Sequence, residues 1–243
     1  MKSFKVLTFT FLAFSNFLVV FSNDYDAHAA DYCNLNCTSG FDDGVVEPHV
    51  LCTFRNPSPA KACTDIQKVG LTEEEKQKVL DVHNKLRQFV ASGLETRGSP
   101  GPQPLAKDMP ILEWDEELAF LAQRAAIQCS IEHYCSDVER FPVGQNIAYT
   151  GIPSKKYDLE DMVKSWYDEV QYFNAGEVPS FVPRESDSGL PDIEHYTQLV
   201  WAQTTKIGCG LIVWRENKLY KTNLYCNYGE SGNYESDPVY KTA

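Results

Sequence analysis

The sequence predicts an α+β fold or a layered α-β-α arrangement with an antiparallel end, held together by disulfides. Helix-period apolar stripes come before and after strand-like segments, with no internal repeat and no linker that separates two domains. Two strand-like runs, 206–214 and 219–226, flank a two-residue turn at Asn217-Lys218. All eight cysteines follow an apolar leader, an even set suited to four disulfides in an oxidising compartment.

The chain opens with Lys2 and Lys5 and an apolar run over 6–21 that Asn16 and several Ser and Thr interrupt. It reads as a signal peptide over residues 1–22, with Ala27-His28-Ala29 as a later cleavage option at 29. Residues 23–70, rich in Cys, Pro, Gly, Asn and Asp, form a loop-dominated extension that needs disulfides. Asn36-Cys37-Thr38 is a glycosylation sequon at Asn36; Asn56-Pro57-Ser58 is excluded by its proline.

Residues 71–243 form the main domain. Thr72-Glu73-Glu74-Glu75 is a capping box, and Val79, Val82, Leu86 and Val90 predict a helix to about 92, stopped by Gly93. A Gly- and Pro-rich loop fills 93–110. Asp115 caps a second helix with Leu118, Leu121, Ala122, Ala125 and Cys129 on one face. A short strand spans 144–150. Asp158 caps a third helix with Met162, Val163, Trp166, Val170 and Phe173 as its stripe. A loop over 174–194 leads to a short helix over 195–202 and the hairpin. A two-residue turn there pairs positions whose numbers sum to 435, as Cys209 and Cys226 do. Closing that loop is worth about 3 kcal/mol in the chain-entropy model. The favoured turn would carry Gly where Lys218 stands.

The formal charge is −12, near −14 once the two leader lysines are removed. A nucleic-acid partner needs a basic face, so none is expected. No segment after the leader is long and apolar enough to be an integral membrane span. A secreted, extracellular monomer is expected. The sequence has no H-E-x-x-H, G-x-S-x-G or P-loop. Ser130 lies three residues before His133, a weak cue for a nucleophile.

Several separated segments carry a family resemblance: His83-Asn84-Lys85-Leu86-Arg87, Gly144-Gln145-Asn146, Trp166 with Glu169, Glu194–Trp201, and Cys226-Asn227-Tyr228 with Gly232-Asn233. Over about 70–235 the chain resembles the CAP superfamily of cysteine-rich secretory, antigen 5 and pathogenesis-related 1 proteins. The stretch from Gly93 to Pro104 and the cysteine-rich extension resemble its insect venom allergen 5 branch.

The resemblance implies a three-layer α-β-α sandwich with a mainly antiparallel central sheet. It implies the pairs Cys33–Cys52, Cys37–Cys135, Cys63–Cys129 and Cys209–Cys226, the last also reached from the hairpin register. Asn223 and Glu230 depart from the family pattern and are expected to affect only the edge of the terminal loop.

The resemblance also implies a cleft lined by His133, Gln145, Glu169 and His195. Two neutral imidazoles, His133 and His195, can ligate zinc or another divalent metal, although no cofactor is required. Gln145 cannot act as a general base, and two histidines fall short of the three protein ligands usual for catalytic zinc. No catalytic residue is therefore assigned. His83 is read as a core histidine. The expected function is a secreted, non-enzymatic antigen 5-like protein of the venom or salivary type. Its partner is expected to be a small lipid, such as a sterol, fatty acid or eicosanoid, or a host extracellular protein. Apolar stripes on the first and third helices are the expected walls of a lipid groove. The alternative is a metal-dependent hydrolase or protease using the His/Glu cleft.

Overall fold

A computed structural model describes residues 25–35, 37–38, 46–184 and 188–243. The predicted signal peptide and Asn36 lie outside these residues. Three long or medium helices begin where the sequence places caps. In α3 (Glu73–Ala91), Thr72 Oγ1 accepts from the Glu75 amide at 3.2 Å, and Glu75 Oε2 accepts from the Thr72 amide at 2.8 Å. Asp115 caps α4 (Glu116–Ala126) by accepting from the Leu118 amide. Asp158 caps α5 (Leu159–Tyr167) by accepting from the Glu160 amide. Two short helices, α1 (Ala29–Tyr32) and α2 (Val50–Thr53), belong to the extension.

The third helix ends sooner than its stripe predicts. After Tyr167 the chain tightens into a 3₁₀ segment, Asp168–Tyr172, that still carries Val170 inward and delivers Phe173 to the core. The periodicity records which residues are buried and does not separate α from 3₁₀ winding. The last helix, α6, is Glu194–Leu199, shorter than 195–202.

The main sheet has the order β3-β6-β7-β5, made of β3 (Ile66–Val69), β5 (Val143–Ile152), β6 (Lys206–Glu216) and β7 (Leu219–Gly229), all antiparallel. A two-residue strand, β4 (Glu113–Trp114), pairs parallel to the start of β6. A separate pair, β1 (Cys37–Thr38) and β2 (Val46–Glu47), lies in the extension. The hairpin register places Cys209 opposite Cys226, and Asn217 and Lys218 turn with φ of 52° and 68°. Positive φ at both positions is what a two-residue hairpin needs, and Lys218 adopts it without being glycine.

Strand alternation sorts the hairpin into two faces. Ile207, Cys209, Leu211 and Val213 of β6, with Leu224, Cys226 and Tyr228 of β7, join the core cluster that holds the buried faces of α3, α5 and α6. Ile212, Trp214 and Tyr225 join the second cluster, with α4 and with Val50 and Leu51 of α2. The result is three layers: α4 and the extension, the sheet, then α3, α5 and α6.

The first layer touches the sheet without side chains between them at two points. A Cβ added to Gly208 would lie 2.2 Å from the Ala119 amide nitrogen, and one added to Gly210 would lie 2.3 Å from the Gln123 backbone. Backbone cannot give way as a flexible side chain can. Gly210→Ala is therefore expected to cost about 3 kcal/mol, the upper end for one added methyl in a packed core. A urea midpoint within experimental error of the wild type would show that α4 can move off the strand.

Disulfides tie the extension to this layer. Cys33–Cys52 closes a loop within it, and Cys37–Cys135 and Cys63–Cys129 join it to the chain after α4. The fourth, Cys209–Cys226, crosses the hairpin, and no free cysteine occurs among the described residues. Tyr32 OH donates to Glu117 Oε1 at 2.6 Å, and Arg124 of α4 pairs with Asp26.

Asn223 corrects the sequence reading. It lies within β7, fully buried, facing Ile212 and Tyr149 in the register. Its Nδ2 donates to the Ser130 carbonyl at 2.6 Å, so it anchors the loop after α4 and is not at the edge of the terminal loop. Glu230 does sit at the end of β7, exposed, with its carbonyl accepting from Thr204 Oγ1.

Candidate functional site

The four residues of the expected site fall into two hydrogen-bonded pairs at the β5 edge of the sheet, supplied by both helical layers and by β5 itself. His133 sits in the loop after α4, and its Nδ1 lies 3.2 Å from Gln145 Oε1. Gln145 is on β5 directly opposite Asn227 of β7. Glu169 is the second residue of the 3₁₀ segment, and its Oε1 is 2.6 Å from His195 Nδ1 at the start of α6.

The amide orientations fix the proton positions. Asn227 Nδ2 donates to the Leu118 carbonyl at 3.2 Å, which leaves Asn227 Oδ1 to accept from Gln145 Nε2 at 2.9 Å. Gln145 Oε1 is then an acceptor, and it takes the Tyr134 amide proton as well. His133 must therefore carry its proton on Nδ1, leaving the Nε2 lone pair unused by this pair. His195 reaches the same state by a different route, because a carboxylate at Nδ1 can only accept. In the neutral form of each ring, Nε2 is then the nitrogen left to act as a ligand atom.

Glu169 does more than hold the ring. Its Oε2 accepts from the amides of His195 at 3.0 Å and Tyr196 at 3.1 Å, the exposed donors at the start of α6. Asn146 Nδ2 donates to the His195 carbonyl at 3.0 Å, so His195 is fixed from both sides.

The two imidazoles titrate in opposite directions. Burial disfavours the charged form of His195, but the hydrogen bond and charge of Glu169 outweigh it and raise its pKa. His133 is lowered, first by desolvation of the ring and then by its neighbour His195, against the Gln145 bond. His133 is exposed on its other side, and solvent screening weakens the effect.

Among the described residues, neither ring belongs to a group of three or more His, Cys, Asp or Glu whose ligand atoms lie close enough to hold a metal ion. The one such group is Cys37, Cys135 and Asp137, whose sulfurs are already in a disulfide. A cleft of about 420 Å³ lies elsewhere, lined by Ala29, Ala30, Leu51 and Pro57 with Asp26 and Arg55, and shares no residue with the histidine pair.

His83 is the core histidine expected from sequence. It is fully buried, with Nδ1 on the Val79 carbonyl and Nε2 on Tyr228 OH. Ser130 Oγ is bound to Tyr134 OH at 2.6 Å and has no base beside it in that pairing. Sequence reasoning missed the role of Arg87, which binds the carbonyl of Leu199 at the end of α6 and those of Trp201 and Thr204 after it. A lone arginine within a helical stripe was the available signal.

The family model described as cysteine-rich secretory protein family, CAP, matches residues 80–228. Venom allergen 3 homolog of Dinoponera quadriceps is 44% identical over 215 residues, 88% of this chain and 90% of that protein. Venom allergen 5 of Vespula pensylvanica is 44% identical over 214 residues, 87% of this chain and 99% of that protein. Among solved structures, the crystal structure of NaASP2 with Zn2+ is similar with a TM-score of 0.59 and 30% identity, covering 72% of this chain and 88% of that one.

Proposed function

The chain belongs to the cysteine-rich secretory protein (CAP) family and is venom allergen 5-like, and from that premise we propose that it is a secreted, non-enzymatic binding protein whose histidine pair receives a divalent metal ion. The observation that carries this reading is the shared tautomer. Gln145 and Glu169 hold protons on the Nδ1 atoms of His133 and His195, as outer-shell partners of metal-ligating histidines do. A related fold crystallised with Zn2+ supports it. When bound, the ion supplies a positive centre with coordination positions open to an outside ligand. The leader, the disulfides and the family support secretion. Residues 71–243 are the unit proposed to carry the site, with 23–70 as its extension.

The hydrolase reading has less support. Gln145 cannot take a proton, and both oxygens of Glu169 are engaged by His195 and Tyr196. The lipid-groove reading draws none from the packing, because the apolar stripes of α3 and α5 meet in one buried cluster.

Calorimetric titration of chelator-stripped protein with zinc tests the proposal. His133→Ala and His195→Ala are each expected to weaken binding at least about tenfold. Wild-type affinity in both variants would overturn the metal site. Zinc-dependent peptide or ester hydrolysis that is lost in His195→Ala would restore the enzyme reading.

A further inference from the structure

We infer that the loop over 94–104 is a clasp that positions Glu169, with Glu95 and Arg97 as positioning residues of the histidine pair. This rests on the metal-site reading above.

The loop brackets the 3₁₀ segment that carries Glu169. On the near side, Glu95 Oε2 accepts from Tyr167 OH at 2.6 Å and Arg97 Nη1 donates to Asp168 Oδ1 at 2.7 Å. On the far side, the Ser99 amide donates to the Phe173 carbonyl at 2.9 Å and the Ala175 amide to the Pro100 carbonyl at 3.0 Å. Glu169 lies between these anchor points, one residue after Asp168.

The clasp is internally fixed. The Glu95 carboxylate is almost fully buried, a costly placement unless it is paired. Its Oε1 accepts from the Arg97 amide at 2.8 Å and from Arg97 Nε at 3.0 Å, and its Oε2 from Arg97 Nη2 at 2.8 Å. The Gln103 amide closes the loop onto the Glu95 carbonyl at 2.9 Å. Gly98, at φ +149°, leaves no room for a side chain: an added Cβ would lie 2.6 Å from Gln103 Nε2.

Such bracing matters because Glu169 has three simultaneous bonds to satisfy, to His195 Nδ1 and to two amides of α6. A shift of about 1 Å would break most of that geometry. The clasp holds the carboxylate where it fixes the His195 proton on Nδ1.

The test is an NMR titration of the His195 ring in the full disulfide-bonded chain, with zinc affinity measured alongside. Arg97→Met is the decisive variant because the sign of its effect separates two causes. Losing a nearby cation by charge alone would raise the His195 pKa; losing the grip on Glu169 lowers it. The expected result is a lowered His195 pKa and zinc affinity weakened about tenfold. Glu169→Gln should lower the pKa further than Arg97→Met. Glu95→Gln should also weaken zinc binding; should it fail to fold, Asp168→Asn removes the outer anchor alone. An unchanged or raised His195 pKa in Arg97→Met, with Glu169→Gln still lowering it, overturns the clasp and leaves the metal site standing. If Glu169→Gln moves neither readout, the metal-site reading fails and the clasp with it.

Discussion

Arg87→Ala is expected to destabilise the protein by about 4–5 kcal/mol, read as a drop in the urea midpoint followed by tryptophan fluorescence. Arg87 is fully buried in α3 and uses all five of its N–H donors. Nε and Nη2 bind the Pro110 carbonyl at 3.2 and 2.9 Å, Nη1 binds those of Leu199 and Trp201 at 2.9 and 2.8 Å, and Nη2 also binds that of Thr204 at 3.1 Å. Leu199 ends α6, so its carbonyl has no partner within the helix. One side chain thus satisfies the end of α6, the turn into β6 and the stretch before β4. Removing it leaves four carbonyls short of a donor and a cavity where the stem lay. Arg87→Lys supplies at most three donors in a different geometry and should fall between alanine and the wild type. A loss under about 1 kcal/mol for Arg87→Ala would mean that water replaces the guanidinium freely.

This contrast between Arg87 and the helix caps shows what the sequence can carry. Thr72, Asp115 and Asp158 act on backbone amides two or three residues away, so their chemistry is readable locally, and all three cap as expected. The hairpin is equally local: one turn sets the register that brings Cys209 to Cys226. Three of the four carbonyls that Arg87 binds lie more than a hundred residues away, and nothing in its own stretch announces them. The role of Asn223 is hidden for the same reason, since its partner is the carbonyl of Ser130 in the loop after α4. Strands β3 and β4 are too short to show alternation and exist because β6 offers an edge. The site residues came from the family resemblance, yet their division into two pairs required the sheet. Gln145 and Asn146 are neighbours on β5 and point to opposite layers, one toward His133 and the other toward His195.

Stability is expected to fall steeply between pH 6.5 and 5, before most carboxylates titrate. Two buried histidines drive this. Burial lowers the pKa of His83 from 6.5 to about 4, with the nearby Arg87 charge acting in the same direction. Burial likewise lowers His49 from 6.5 to about 4, against a bond to the Asp137 carbonyl. Each uses its unprotonated nitrogen as an acceptor: His83 Nε2 takes the Tyr228 hydroxyl at 2.9 Å, and His49 Nδ1 takes the Leu51 amide at 3.2 Å to cap α2. Protonation would turn each of these bonds into a clash of donors.

The sign follows from linkage. Above pH 6.5 neither state binds these protons, so the full stability is present. Below it the unfolded chain takes up two protons that the folded chain refuses, and stability falls by about 1.4 kcal/mol per pH unit for each histidine until pH 4. The pair together removes about 3 kcal/mol between pH 6.5 and 5. His195 runs the other way. Its raised folded pKa gives a contribution that is complete below 6.5 and is lost only as the pH rises through the folded value, so it adds nothing to this decline. Glu75 and Glu95, whose pKa values are lowered by Lys68 and by Arg97 and Tyr167 against their burial, act mainly below pH 4.5. Urea midpoints at pH 7, 6 and 5 should therefore show a slope that His83→Gln reduces by about half, whatever that substitution costs at pH 7. A flat profile over this range would mean that both rings accept protons in the folded protein.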